Sequence, residues 1–261
     1  MIFREVSRVI YENNPLQEVL CQLKFPPILR IASEIPAAYQ EKIRKEYPFV
    51  EETSAEPGLP PGLPLEIRKL IQSFSIPTEK AFGFVSADRH WKVSLNKEFV
   101  ALSTTQYVRW EDFKQHLATP LEALAEHYAP PFFTRVGLRY RDLIVRSKLG
   151  LEGRNWDDLL EPYIAGELAE NTITSCIERA DRDLLIRIPE ANSKIHIRHG
   201  LVGDKQKREP CYYIDSDFFT DERVKTNDIL GTLDRFNGEA GRFFRWCIRD
   251  VLHAAMGPKS V

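Results

Sequence analysis

Cysteine is scarce in this chain and poorly spaced for chemistry. The 261 residues hold four, at positions 21, 176, 211 and 247, with no CxxC pair. That is too few for a disulfide scaffold. Cys21 and Cys247 fall on apolar stripes, where thiols act as inert packing. No apolar run approaches the ~18 residues of a membrane span, and the opening Met1–Val6 lacks the apolar core of a signal peptide. These features predict a cytoplasmic protein with no membrane partner. Neither charge sign dominates: 36 Lys and Arg stand against 38 Asp and Glu, a net charge of -2. That balance counts against a nucleic-acid coat and leaves room for a local basic face. The six histidines form no HxxxH pair, and His196 and His199 would point to opposite faces of a strand, which argues against structural zinc. P-loop, GxGxxG, GxSxG, kinase and EF-hand signatures are missing too. No cofactor is implied, and no catalytic residue can be assigned.

What remains is ordinary globular composition, 43% hydrophobic and 28% charged, with clear periodicities. Glu18 to Phe25 alternates and reads as a half-buried strand stopped by Pro26-Pro27. Ile35, Tyr39, Ile43 and Tyr47 recur every four residues and predict a helix near Pro36, ended by Pro48. Residues 51–64, with four prolines, read as a loop. A meander of four strands follows, over Leu70–Ile76, Ala81–Ser86, His90–Leu95 and Glu98–Ser103. A long helix over 110–128 carries Trp110, Phe113, Leu117, Leu121, Leu124 and Tyr128. Thr119, Pro120 and Glu122 form a capping-box pattern inside it, which predicts a kink or two abutting helices. Residues 134–146 restart the pattern with a strand, then a short helix at Trp156–Ile164. Strands are expected over Thr172–Arg179, Leu184–Ile188, Lys194–His199 and Cys211–Phe218, with a charged loop over 201–210. A last helix over 229–256 ends at Gly257-Pro258, and Gly238 and Gly241 inside it each cost about 1 kcal/mol of helix propensity.

The fold class is therefore α+β, a largely antiparallel sheet with long covering helices. The element order also repeats. Residues 1–131 and 132–261 each read as a β-α-β(4)-α unit, which suggests a duplication packed as one compact body. Such a unit resembles the helix-grip fold and the repeat of the TATA-binding protein, in which a long helix covers one face of a curved sheet. This is likeness of fold and does not determine function.

Four segments together carry a further resemblance. They are Asn14-Pro15-Leu16-Gln17-Glu18-Val19 with Leu23-Lys24-Phe25, Leu102–Tyr107 with Trp110-Glu111-Asp112-Phe113, Arg135–Tyr140, and Ile214–Phe218. As a set they resemble a sporadically distributed family of uncharacterised bacterial proteins of about 260 residues. The resemblance spans nearly the whole chain and implies no known activity. The family pattern places a histidine about where Asn237 stands here.

Two groups of polar residues stand out. Arg135, Arg139 and Arg141 share one strand face around Gly137, with His196 and Arg198 as a second polar stripe and Lys205–Arg208 beyond. Guanidinium groups so close need anions, from carboxylates such as Asp142, Glu178 or Asp183, or from a ligand. Asp215 and Asp217 lie two apart on one strand face, a pair that suits Mg²⁺ or a capped strand end. The expectation is a non-enzymatic binding or regulatory protein acting through a sheet face or a homodimer surface, with a small anionic ligand or a protein as partner. The alternatives are a metal-dependent enzyme on a phosphate-containing substrate and a nucleic-acid-binding saddle.

Overall fold

The structure is a computed structural model that describes residues 2–54, 80–170, 172–204 and 209–260. The strand expected at Leu70–Ile76, most of the proline-rich segment and the Lys205–Arg208 run lie outside the described residues.

The described chain is a mixed α+β fold built on one antiparallel sheet of nine strands. In chain order the elements are β1 (Val9–Tyr11), β2 (Leu16–Lys24), α1 (Leu29–Ser33), α2 (Ala37–Ile43), β3 (Phe49–Ser54), β4 (Lys80–Val85), β5 (Trp91–Leu95), β6 (Phe99–Thr104) and α3 (Trp110–His127). There follow β7 (Arg135–Ile144), α4 (Trp156–Leu159), α5 (Pro162–Ala165), β8 (Ala180–Ile188), β9 (Ser193–Asp204), β10 (Glu209–Thr220), α6 (Ile229–Cys247), α7 (Asp250–Ala255) and β11 (Pro258–Ser260). The sheet order is β3-β4-β5-β6-β2-β7-β10-β9-β8, and β1 pairs separately with β11. Strands β2 and β7 form the seam, so one continuous sheet serves both halves of the chain. Among the described residues no helix is long and apolar enough to cross a membrane.

Period-two alternation sorts the side chains. Val19, Cys21 and Leu23 of β2, Val136, Leu138 and Tyr140 of β7 and Ile214 and Phe218 of β10 face helices α3 and α6, and all are buried in one core. Phe113 of α3 meets Trp91 at 5.7 Å between ring centres, and Phe243 of α6 meets Phe218 at 6.1 Å. Each such ring or Leu side chain contributes about 1.5–3 kcal/mol by leaving water. The opposite face carries the polar residues of the same strands and a small apolar cluster of Leu143, Val145, Val202, Cys211 and Tyr213.

Several expectations are corrected. Pro120 does not divide the helix, and Thr119 makes no capping box: its hydroxyl donates to Glu46 at 2.7 Å, and α3 runs unbroken from Trp110 to His127. Proline lacks the N–H that would reach the carbonyl four residues back. That carbonyl belongs to His116, and the buried Tyr47 hydroxyl donates to it instead, at 2.8 Å. The last helix is not continuous. It stops at Cys247, and Ile248 is extended and bridges Leu160. Glu161 N–H donates to Cys247 O at 3.0 Å and Arg249 N–H to Leu159 O at 2.9 Å, so strand-like bonds replace the helical ones there. Ile35 is 82% exposed because α2 begins after Pro36, although Tyr39, Ile43 and Tyr47 are buried as expected. Thr172–Arg179 is not a strand. It holds a 3₁₀ turn at Thr174–Cys176, tied by Thr174 Oγ1 donating to Leu168 O at 3.0 Å. Residues 51–54, expected to open a loop, instead belong to a strand, Phe49–Ser54, that pairs with β4 at the edge of the described sheet.

Candidate functional site

The arginine stripe lies on the polar face of β7, between β2 and β10, and each guanidinium meets a carboxylate. Arg135 Nη2 donates to Asp217 at 2.7 Å and packs its guanidinium over the Phe219 ring. Gly137 has no Cβ because the Arg135 guanidinium occupies that space, 2.2 Å from where the carbon would stand. Arg139 holds Asp215 through two bonds, the Nε one at 2.6 Å. Arg141 bonds Glu18 across the seam, the two side chains being 5% and 1% exposed, and its Nε lies 3.9 Å from Asp215. On the next strands His196 and Arg198 both bond Asp183, each at 2.8 Å.

The partners thus differ from those expected. Asp215, Asp217 and Glu18 serve the stripe, Asp183 serves β9, and Asp142 lies on the other face. Asp215 and Asp217, read also as metal ligands, each sit against a guanidinium, and no cluster of three metal-ligating side chains occurs among the described residues. Burial pushes the Asp215 carboxyl up, but Arg139, Arg141 and Arg198 more than offset it and hold it below its ordinary value. Burial likewise lowers Arg139, and Asp215 more than restores it. Within the pair Arg141 Nε and Nη2 and Glu18 Oε1 are buried without a hydrogen-bond partner.

A second site lies on the opposite face. Between the sheet, α6 and the N-terminal segment is a cavity of about 460 Å³. The β1–β11 pairing anchors the segment, and Tyr11 Oη lies 2.8 Å from His253 Nδ1 of α7. Arg8 forks onto Glu111 of α3 with two bonds of 2.7 Å. Tyr140 of β7 and Tyr107 before α3 donate to Asn237 Oδ1 of α6 at 3.0 and 3.4 Å, with their rings edge to face at 5.9 Å. Asn237 therefore ties α6 to β7 and to the segment before α3 on the cavity wall. Burial pushes the Tyr107 and Tyr11 phenols up to about 12 and Tyr140 well above its ordinary value, so all three stay neutral at neutral pH.

Two details of the wall are unusual. Gly238 and Gly241 both line it from within the 19-residue α6. A Cβ at Gly241 would meet nothing within 4 Å, and one at Gly238 only an Arg242 nitrogen at 3.8 Å. Neither Cβ position is filled by packing, Gly238 being half-buried and Gly241 exposed, and each glycine costs the helix about 1 kcal/mol of propensity. The second detail is Asp142. Its residue is 7% exposed, its carboxyl lines the cavity, and no hydrogen bond or ion pair to it occurs among the described residues. Burial, and then the like charge of Asp215, raise it well above the usual carboxylate range. A buried acid without a partner is costly unless something else meets it.

The sequence carried one readable sign of this site. Asp142 continues the inward stripe of Leu138 and Tyr140, where an acid is out of place. The cavity itself depends on segments far apart in the chain. No family model matches the chain, and no curated protein sequence matches it.

Proposed function

We propose that the chain is a non-enzymatic binding protein whose small ligand lies in the cavity between α6, the sheet and the N-terminal segment. The observation that carries this reading is Asp142, a buried carboxyl that has no partner among the described residues and lines this cavity. The volume fits the usual range of small-molecule sites, about 300–1,000 Å³. The apolar dye Nile red tests it by fluorescence. It should bind the wild-type chain saturably and lose that binding in Gly241→Phe, whose ring would fill the space. Equal binding to a folded Gly241→Phe chain rejects the proposal. The nucleic-acid and metal-dependent enzyme readings find less support, because the arginines and the Asp215–Asp217 pair already satisfy one another.

Strand order supports the proposed duplication. Outward from the β2–β7 seam it reads β6-β5-β4 on one side and β10-β9-β8 on the other. Superposing 15–130 on 132–256 should match these strands in that order.

A homodimer through strand β8 is also proposed. This strand ends the sheet, and Leu184 and Leu185 on it are 42% and 63% exposed. Antiparallel self-pairing centred on Leu185 sets Asp183 opposite Arg187 twice and Leu184 opposite Ile186 twice, a self-complementary register. Light scattering at tens of micromolar should report a dimer that Leu185→Pro dissociates. A wild-type monomer rejects it.

A further inference from the structure

We propose that the cavity takes a small molecule that presents a protonated amine to Asp142 from an aromatic or branched apolar body. This rests on the binding reading above and adds the ligand's chemical class.

The charges on the wall point to it. Four arginines line the cavity, and each has its own carboxylate: Arg8 with Glu111 at 2.7 Å, Arg109 with Asp112 at 2.9 Å, Arg242 with Glu239 at 3.3 Å, and Arg245 with Asp250. Arg245 also donates to the Ile248 carbonyl at 2.8 Å. An anionic ligand would have to share these arginines with carboxylates already bound to them and would approach Asp142, a like charge when ionised. A cation displaces nothing and supplies the partner that Asp142 lacks. The rest of the wall suits it. Tyr11, Tyr107, Tyr140 and Phe244 bring aromatic rings to the cavity. The negative faces of such rings attract ammonium groups, more strongly when water is excluded. Ser216 adds a neutral hydroxyl to the same wall. An ammonium also needs hydrogen-bond acceptors for its three protons, and the carboxylate and hydroxyl oxygens of Asp142 and Ser216 provide them.

The test uses three probes of one shape: 2-phenylethylamine, the neutral 2-phenylethanol and the anionic phenylacetate. Each is titrated by calorimetry into the full wild-type chain, Asp142→Asn and Gly241→Phe at slightly alkaline pH. The amine should bind wild type at least tenfold more tightly than the alcohol, and the acid should bind weakest. Asp142→Asn should remove the preference for the amine while keeping the alcohol, and Gly241→Phe should remove both. If wild type binds the alcohol or the acid as tightly as the amine, the assigned class is wrong and the binding reading stands. If no probe binds, or Gly241→Phe binds as wild type does, both fail. The probe series on wild type decides the class even if a variant does not fold.

Discussion

Replacing Arg141 by methionine should destabilise the protein in a strongly pH-dependent way. Among the described residues Arg141 and Glu18 are the most deeply buried ion pair on the polar face, and the guanidinium is the only cation bonded to Glu18. Burial already raises the Glu18 carboxyl, against the pull of Arg141 and Arg139. Without Arg141 the carboxyl must take up a proton to stay buried. For a carboxyl of ordinary pKa about 4.3, that costs about 3.7 kcal/mol at neutral pH and about 1 kcal/mol near pH 5. The total loss at neutral pH should fall in the ~3–5 kcal/mol range of broken buried pairs. Urea unfolding followed by tryptophan fluorescence measures it. The difference between wild type and Arg141→Met should shrink by about 2–3 kcal/mol between neutral pH and pH near 5. The double variant Arg141→Met with Glu18→Leu should recover most of the loss. The pair leaves Arg141 Nε and Nη2 and Glu18 Oε1 without hydrogen bonds, so apolar side chains of similar volume forfeit little. A loss below 1 kcal/mol, or one that does not change with pH, would show that Glu18 is not held by this charge and refute the reasoning.

Four further outcomes are expected. Tyr47→Phe should cost about 1–3 kcal/mol in chemical denaturation, because it removes the hydroxyl that donates to the His116 carbonyl that Pro120 leaves open. Burial, and then the Arg182 charge, lower the His199 imidazole to about 4. The unfolded chain therefore binds the proton first, and stability should fall by about 3 kcal/mol as pH drops from about 6.5 to about 4; His199→Asn should flatten that segment of the curve. Asp142 behaves oppositely, since its folded pKa is raised: its contribution is intact at acid pH and lost as pH rises, so Asp142→Asn should match wild type in acid and exceed it in Tm at alkaline pH. Gly241→Ala should raise stability by up to about 1 kcal/mol in urea, since the new methyl meets nothing within 4 Å; a loss would mean that the helix needs glycine there for packing.

Much of the architecture was legible in the chain alone. Alternation in Glu18–Phe25, His90–Leu95 and Arg135–Arg141 placed three of the strands and their buried faces, because a pleated strand repeats every two residues whatever lies beyond it. The Trp110–Tyr128 and Ile229–Cys247 stripes marked the long helices for the same local reason. Arginines so crowded on one face of β7 required anions, and that too was a property of the sequence. Which anions met them was decided by strand register: Asp215 and Asp217 come from 74 or more residues away, and Glu18 from the other half of the chain. The same holds for the unbroken helix at Pro120, saved by a hydroxyl on Tyr47, and for the break at Ile248, made by a backbone partner at Leu160. Local pattern determines which way a side chain points. Only tertiary pairing determines what it meets, and so only the folded chain shows Asp142 lining a cavity with no partner among the described residues.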